Sequence, residues 1–322
     1  MQAKALLHKL ILESCMPLHA TRRMALESMV WAAIECRTLT VTALGRALGN
    51  TCLEKHAIKC ADRLLSNRAL QAEREGIYSQ LAHRLAGKQQ HPVILVDWSD
   101  LDTWRRNQVL RASLIMEGRA LTLYEEVHGR MTAGKRKTHT LFLQKLKQLM
   151  PGECQPVLVT DAGFKAPWFQ AVEALDWYWV ARVRNPCYVR LAGADAWQAV
   201  KTLHGKATAR ARHLGAVELI RSQGHRCQLV LYRAKARGRQ IINRYGQPSR
   251  SHRSLKAARS AREPWVLASN LPVSFKFARK VVRIYRCRMQ IEESFRDVKS
   301  AHYGLGLNSI VVATPGELLF FC

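Results

Sequence analysis

The run His91-Pro-Val-Ile-Leu-Val-Asp97 marks a change in the pattern of the chain and decides the fold class. Its unbroken aliphatic and β-branched residues are typical of a short strand buried on both faces, and the run ends in an acid. A second run of the same kind, Gln155-Pro-Val-Leu-Val-Thr-Asp161, follows further along the chain. Strand and helix candidates that alternate around these two runs indicate a mixed α/β fold.

The segments around the two runs have patterns of their own. Asp100 and Asp102 follow Asp97 closely and are alternatives to it as a functional acid, although both belong to the turn after the strand. The further strand candidates are Gln108–Ile115, Arg119–Val127, Trp177–Arg184 and 264–270, and the helix candidates are 137–150 and 167–175.

Residues 1–88 have the apolar spacing of helices. Two short candidates, Thr38–Leu48 and Leu53–Leu65, flank a turn at Gly49-Asn50. The second has a core stripe on one face and three cations, Lys55, Lys59 and Arg63, on the opposite face. This arrangement predicts a DNA-reading helix of a helix-turn-helix, although an ordinary solvated basic face produces the same pattern.

The charge balance favours a polyanionic partner. The chain has 51 Lys and Arg against 24 Asp and Glu, a formal charge of +27, which makes nucleic acid the expected partner and an anionic membrane surface the weaker choice. No apolar run reaches the length of a membrane span, so a cytosolic protein with no membrane partner is expected. The nine cysteines include no CxxC pair, which favours reduced structural thiols.

The most basic part of the chain lies between the second acid run and the last strand candidate. Residues 201–262 contain 16 Lys and Arg but one acid, Glu218. The segments Arg233–Arg239 and Pro248–Arg262 favour loops or a β-rich insertion that lies over a phosphate backbone. A disordered basic linker is the alternative.

The stretch Tyr285–Lys299 contains no Gly or Pro and is compatible with a single helix. At about 100° per residue, Arg288, Glu292 and Lys299 would all lie within about 60° of Tyr285. Glu293 and Asp297 would lie on a different face. One carboxylate in line with a phenol and two cations predicts a metal ligand beside groups that bind phosphate, although a basic amphipathic surface helix is the alternative.

Asp97, Asp161 and Glu292 together form a candidate metal-binding set. Three carboxylates can hold two divalent cations about 4 Å apart for an in-line phosphoryl displacement. Mg²⁺ fits because it prefers oxygen ligands, and Mn²⁺ is the substitute ion. Each acid alone is weak evidence, since an Asp at a strand end often caps the next turn.

Three motifs, Val-Asp97-Trp-Ser, Val-Thr-Asp161-Ala-Gly-Phe and Tyr285-x2-Arg288-x3-Glu292-x6-Lys299, together resemble the DDE transposases of bacterial insertion sequences, in the subgroup with a Tyr-Arg-Glu-Lys signature. The resemblance implies an RNase H-like catalytic core at 89–186 and 263–322. It also implies a basic β-rich insertion at 187–262 and an N-terminal helical DNA-binding domain at 1–88.

The same resemblance implies roles for individual residues. Asp97, Asp161 and Glu292 would be the metal-binding triad, and the signature residues Tyr285, Arg288 and Lys299 would grip phosphates near the scissile bond. Trp265 matches the position on which such enzymes stack an extruded base. Met289, beside Arg288, is a candidate apolar wedge. Core packing is the alternative reading for both Trp265 and Met289.

The implied activity is cut-and-paste transposition at terminal inverted repeats. Such enzymes nick the element end, form and reopen a hairpin, and join the ends to double-stranded target DNA, as homodimers in a synaptic complex on the nucleoid. Residues 308–322 do not resemble the helical region that follows in the family, which we interpret as a truncation or frameshift. The alternatives are an impaired DNA-binding remnant or inhibitor, and a structure-selective nuclease.

Overall fold

The computed structural model describes residues 2–49, 53–102, 104–222, 224–235, 242, 246–300 and 306. The predicted truncated segment, residues 308–322, and most of the predicted basic loop at 233–239 lie outside the described residues. The chain divides into two compact units. Unit 1 consists of Met1–Pro156 and Met289–Cys322, and unit 2 of Val157–Arg288. The domain boundaries expected from the sequence stay predictions.

Helices and strands alternate over most of the described chain. The helices are α1 Gln2–Ser14, α2 Ala20–Cys36, α3 Val41–Ala47, α4 Glu54–Leu65, α5 Arg68–Ala86, α6 Arg136–Leu149, α7 Ala166–Glu173, α8 His252–Arg262, α9 Phe277–Arg286 and α10 Met289–Lys299, with a 3-10 helix at Val200–Lys206. The strands are β1 Val93–Asp100, β2 Asn107–Ile115, β3 Ala120–Gly129, β4 Val157–Thr160, β5 Tyr178–Val183, β6 Tyr188–Leu191, β7 Gln198–Ala199, β8 Arg212–Leu219, β9 His225–Tyr232 and β10 Trp265–Ser269.

The N-terminal part of unit 1 is helical, as predicted, over α1 to α5. A close contact between α3 and α4 requires a glycine at position 45, because a Cβ there would lie 2.5 Å from the Cα of Ile58. Ile58 is half-buried in α4, and the rest of the predicted core stripe is fully buried. These buried residues are Ala57, Ala61, Leu64 and Leu65. The amphipathic helix predicted over 53–65 is therefore confirmed.

Three antiparallel strands follow in unit 1, with β2 between β1 and β3. One face of β3 contributes Tyr124, whose ring packs between Tyr78 of α5 and Phe142 of α6, with centroids 5.4 and 5.2 Å away. Helix α10 packs against β1 and β3. Its Phe295 lies under the guanidinium of Arg111 on β2, 4.7 Å from the ring centroid to the guanidinium carbon. Helices thus cover both faces of this sheet.

Unit 2 contains a larger, mixed sheet in the order β4-β5-β10-β9-β8-β6-β7. β4 and β5 are parallel, and the other neighbouring pairs are antiparallel. Trp168, Trp177 and Trp179 are almost wholly buried in its core. Phe169 of α7 stacks on Trp179 of β5 at a centroid distance of 4.2 Å. The mixed α/β class expected from the sequence is confirmed.

The single helix predicted over Tyr285–Lys299 is wrong. α9 ends at Arg286 and α10 begins at Met289. Between them the backbone N–H of Cys287 bonds to Ile284 O at 3.1 Å, and that of Arg288 bonds to Tyr285 O at 3.1 Å. These bonds span three residues rather than four, so the last turn of α9 tightens and the α-helical ladder is interrupted. The in-line angles calculated across this break do not apply.

The loops or strands predicted for Pro248–Arg262 are also wrong, because His252–Arg262 forms α8. Ser251 caps this helix by accepting a hydrogen bond from Ser254 N at 3.2 Å. Leu255, Lys256 and three alanines then supply good helix formers, which outweigh the loop character of the serines. Elsewhere in residues 201–262, the described residues form most of the 3-10 helix Val200–Lys206 and the strands β8 and β9. The β-rich insertion at 187–262, which would also include β6 and β7, stays a prediction.

Among the described residues, every helix is too short or too polar to cross a lipid bilayer.

Candidate active site

In unit 1, two of the predicted site residues, Asp97 and Lys299, meet at strand β1. Asp97 lies in β1, half-buried, and its Oδ1 accepts a hydrogen bond from Trp98 N at 2.9 Å. Ser99, two residues further on, has its side chain on the same face of the strand. Its Oγ accepts a hydrogen bond from Lys299 Nζ at 2.5 Å. Lys299 of α10 therefore lies over the face of β1 that carries Asp97.

Glu292 and Glu293 are neighbours in α10 but lie on different faces of the helix. Glu293 lies 3.5 Å from Arg119, and Asp297, one turn later, lies 3.2 Å from the same guanidinium. Glu292 is instead two turns before Lys299, so the two side chains lie on one face of the helix. The predicted separation of Glu293 and Asp297 from the face of Glu292 and Lys299 is confirmed.

A buried ion pair lies beside Asp97 in the same sheet. Asp97 is paired across the strands with Arg111, and Arg111 with Glu125, so all three side chains lie on one face. Arg111 Nε donates to Glu125 Oε2 at 2.5 Å, and the two side chains are 2% and 1% exposed. This pair was not expected from the sequence. The available signal was a lone Arg in the strand Asn107–Ile115 and a Glu in the middle of the next strand.

On the opposite face of β1, a side-chain hydrogen bond joins the strand to α6. The indole Nε1 of Trp98 donates a hydrogen bond to His139 Nε2 at 3.0 Å. Burial, assisted by nearby His128, lowers the pKa of His139 to about 4. His139 is therefore neutral at pH 7 and can accept this bond. The backbone next to Asp97 is held on both sides.

Asp161 directly follows β4, the first strand of unit 2. Its Oδ1 accepts a hydrogen bond from Gly163 N at 2.7 Å, which closes a tight turn before α7. A Cβ at position 163 would lie 2.9 Å from that oxygen, so glycine suits the turn. Lys165 Nζ donates to Ala162 O at 3.0 Å and adds a cation to the same loop.

Two signature residues lie near Asp161 in unit 2. Tyr285 is 4% exposed, and its phenol forms a hydrogen bond with the Arg288 side chain. Burial raises the pKa of Tyr285, the positive charges of Arg288 and Arg182 oppose that rise, and the nearby negative charge of Asp161 adds to it. The phenol is therefore neutral. Burial lowers the pKa of Arg182, which had not been singled out from the sequence.

The predicted base-stacking residue Trp265 starts β10 and is half-buried. Its ring lies between Tyr232 and Tyr285, with centroids 5.6 and 5.0 Å away. Arg286 covers the ring of Tyr232, with its guanidinium carbon 5.1 Å from the ring centroid, and donates a hydrogen bond to the Tyr232 hydroxyl. The predicted wedge Met289 belongs to unit 1 and is 46% exposed.

A basic cleft of about 780 Å³ opens beside Asp161 within unit 2. Arg184 forms an ion pair with Glu263 and donates to Ser260 Oγ, which ties β5 to the end of α8. The lining of the cleft contains more cations than acids. Its charged lining residues are Asp161, Lys165, Arg184, Lys201, Lys256, Arg259 and Glu263.

The remaining predicted DNA-binding residues are Lys55, Lys59 and Arg63. All three are exposed on α4, on the side opposite its buried stripe. Their geometry fits a recognition helix and a solvated face equally well, so their role in DNA binding stays a prediction.

The three predicted metal ligands are divided between the units, with Asp97 and Glu292 in unit 1 and Asp161 in unit 2. Within the described part of the chain, no three His, Cys, Asp or Glu side chains are grouped closely enough to hold a metal ion. Carboxylate oxygens are nevertheless the donors that Mg²⁺ prefers. The metal-binding role of the three acids stays a prediction.

The carboxylates and neighbouring cations of this mixed α/β fold are typical of proteins that act on phosphate esters. The family model described as the transposase DDE domain matches residues 88–310, more than half of the chain. The chain therefore belongs to the family of transposases with a DDE domain. A comparison with curated protein sequences found no match.

Two solved structures are similar to the chain at low identity. One is the piggyBac transposase synaptic complex with hairpin DNA, determined by cryo-EM, with 11% identity and a TM-score of 0.44 over 93% of this chain. The chain spans 63% of the length of that transposase. The other is human ENDOV, with 17% identity and a TM-score of 0.30 over 72% of this chain and 99% of that one. TM-scores this low support no conclusion about activity.

Proposed function

We propose that the chain is a metal-dependent DNA transposase that catalyses cut-and-paste transposition at terminal inverted repeats, in the subgroup with a Tyr-Arg-Glu-Lys signature. The observation that carries the proposal is the grouping of signature residues with an acid inside each unit. Lys299 reaches the strand of Asp97 through Ser99. Independently, Tyr285 bonds to Arg288 and lies near Asp161.

In this proposal the core is RNase H-like, and Asp97, Asp161 and Glu292 hold two Mg²⁺ ions, with Mn²⁺ as a substitute. When bound, such ions activate an attacking water or 3′-hydroxyl and stabilise the leaving oxygen. Arg288 and Lys299 bind phosphates near the scissile bond. Tyr285, being buried and neutral, acts mainly by orienting the Arg288 guanidinium through their hydrogen bond.

The proposed partners are double-stranded terminal inverted repeats and target DNA, bound by a homodimer in a synaptic complex on the nucleoid. The positive charge of the chain and the basic cleft beside Asp161 support a DNA partner. The cleft cations Lys201, Lys256 and Arg259 would hold the DNA strand whose phosphates approach Asp161.

A single assay tests the proposal and separates its alternatives. The protein is incubated with labelled terminal inverted repeats and Mg²⁺, and products are resolved on denaturing and native gels. Nicks, hairpins and strand-transfer products together support a transposase. Nicks without later products indicate a nuclease, and a band shift without any product indicates a DNA-binding remnant.

Trp265→Ala is expected to retain first-strand nicking and to lose hairpin formation. Hairpin formation bends DNA sharply and is helped when an extruded base stacks on an aromatic ring. Gels that resolve nicks from hairpins measure both steps. Trp265→Phe, which retains an aromatic face, is the control and should form hairpins. Equal loss of both steps in Trp265→Ala would mean that the ring only packs between Tyr232 and Tyr285.

Replacing Lys55, Lys59 and Arg63 together with alanine is expected to weaken DNA binding. If each contacts one phosphate, the slope of log K against log salt should become less steep by about 2.7, or about 0.9 for each contact. Gel shifts at several salt concentrations measure this slope. Arg68→Ala, which removes an exposed cation at the start of α5, is the control. An unchanged slope in the triple variant would show a merely solvated face.

A further inference from the structure

Trp104 is an exposed aromatic side chain in the loop between β1 and β2. The chain has eight tryptophans, all among the described residues. Trp104 is the only one that is largely exposed, with 74% of its surface accessible to solvent. A single exposed apolar side chain is common and has no meaning by itself. The surroundings of Trp104 supply the further observations.

Asp102 accepts backbone hydrogen bonds from residues that follow Trp104 in the loop. Its Oδ1 accepts from Arg106 N at 3.1 Å and its Oδ2 from Asn107 N at 2.8 Å. Burial alone would raise the pKa of Asp102, but backbone hydrogen bonds from Asn107, Arg106 and Trp104 outweigh it and lower the pKa. Leu101 N bonds to Asn107 O at 2.9 Å and closes the loop. These bonds hold the backbone on both sides of Trp104, which reduces the entropy that the loop backbone would lose on binding.

One cation lies over the exposed ring, and others follow in the same two loops. The guanidinium carbon of Arg106 lies 5.1 Å from the Trp104 centroid, in the range of a cation–π contact. Arg106 O accepts a hydrogen bond from Arg130 N at 3.1 Å, which brings the turn after β3 alongside. We call six exposed residues of these two loops the tip surface. It comprises Trp104, Arg105, Arg106, Arg130, Met131 and Lys135.

The charge of the tip surface suits a phosphate backbone. Its four cations exceed the two acids nearby in the chain, Asp100 at the end of β1 and Asp102 in the loop, and Arg105 pairs with Asp100 at 3.2 Å. Aromatic side chains interleaved with cations are the usual means by which proteins bind unpaired nucleic acid strands, because every base has a face that stacks.

The tip surface lies at the end of the hairpin whose first strand carries Asp97. Asp100 lies three residue steps along the strand from Asp97, a length of about 10 Å. This corresponds to about three base pairs of B-form DNA. DNA that ran along β1 with a phosphate near Asp97 would bring a base a few pairs away towards the loop of Trp104.

We propose that the tip surface binds DNA by stacking an unpaired nucleobase on the face of Trp104 that Arg106 does not cover, while Arg105, Arg106 and Arg130 contact phosphates. The inference rests on the proposed function only for its partner, DNA. It assigns to this chain a second stacking residue, in unit 1, besides Trp265 in unit 2.

The test uses two duplexes that differ at one position, where a normal pair is replaced by a base opposite an abasic site. Binding is measured by fluorescence anisotropy without divalent metal, so cleavage does not contribute. Trp104→Ala is expected to weaken binding of the duplex with the unpaired base about 5- to 150-fold and to leave binding of the paired duplex unchanged. That duplex should also quench wild-type tryptophan emission more than it quenches Trp104→Phe.

Met116→Ala is the matched control. Met116 is 45% exposed at the opposite end of the same hairpin strand, and its replacement should leave both affinities at wild-type values. If Trp104→Ala bound both duplexes as the wild type does, or lost affinity for both equally, the stacking inference would be overturned while the proposed function stood. If the wild-type protein bound neither duplex, both would be overturned.

Discussion

Glu292→Gln is expected to slow DNA strand cleavage at least about a thousandfold, whereas Glu293→Gln cleaves at about the wild-type rate. A metal-coordinating carboxylate supports several kcal/mol of transition-state stabilisation, and each 1.36 kcal/mol is a tenfold change in rate. Glutamine preserves the size of the side chain but removes the charge that would hold the cation. Glu293 is instead placed beside Arg119, away from the face of Lys299.

The measurement is the single-turnover rate of nicking on labelled terminal inverted repeats in Mg²⁺. Asp97→Asn and Asp161→Asn should lose activity to the same extent, because all three carboxylates serve one metal set in the proposal. Gel shifts without metal should show that each variant still binds DNA. Cleavage by Glu292→Gln at near the wild-type rate would exclude Glu292 as a metal ligand. Loss of activity in Glu293→Gln would show that the two acids do not have different roles, although they lie on different faces of α10.

Glu125→Gln is expected to lower the free energy of unfolding of unit 1 by about 3–5 kcal/mol. The Arg111–Glu125 pair is almost completely buried, with side chains 2% and 1% exposed. Removing one charge leaves the other in a medium that solvates it poorly. The pair also lies across the strands from Asp97, so its loss would disturb the sheet at the candidate active site.

Urea titration followed by circular dichroism measures this loss as a lower midpoint. The double variant Arg111→Met with Glu125→Leu should recover most of the stability, because apolar side chains of similar volume need no charge partner. Arg119→Ala is the control, since Arg119 is 60% exposed and its ion pair with Glu293 should contribute less than about 1 kcal/mol. A loss under about 1 kcal/mol for Glu125→Gln would show that water reaches the buried pair.

Local patterns predicted much of the fold. The aliphatic runs before Asp97 and Asp161 became β1 and β4, and the apolar spacing of residues 53–65 became α4. Each of these signals depends on a few neighbouring residues, because side-chain burial alternates in strands and recurs every three to four residues in helices. The same spacing separated Glu292 from Glu293 correctly within α10.

Local patterns failed where hydrogen bonding or packing outweighed them. Cys287 and Arg288 interrupt the expected helix, although no glycine or proline marks the place. The capping serine and the alanines of α8 outweighed a composition that resembles a loop. In both cases the composition of the segment was compatible with more than one backbone conformation.

The sequence by itself determined the α/β class, the strand positions of Asp97 and the residues before Asp161, and the charge that favours a polyanionic partner. Only the tertiary structure decided that Arg111 pairs with Glu125, that Lys299 reaches Ser99, and that Tyr285 lies near Asp161. The physical reason is distance along the chain. Periodicity reports on neighbours within a few residues, whereas these contacts join segments that only strand pairing and helix packing bring together.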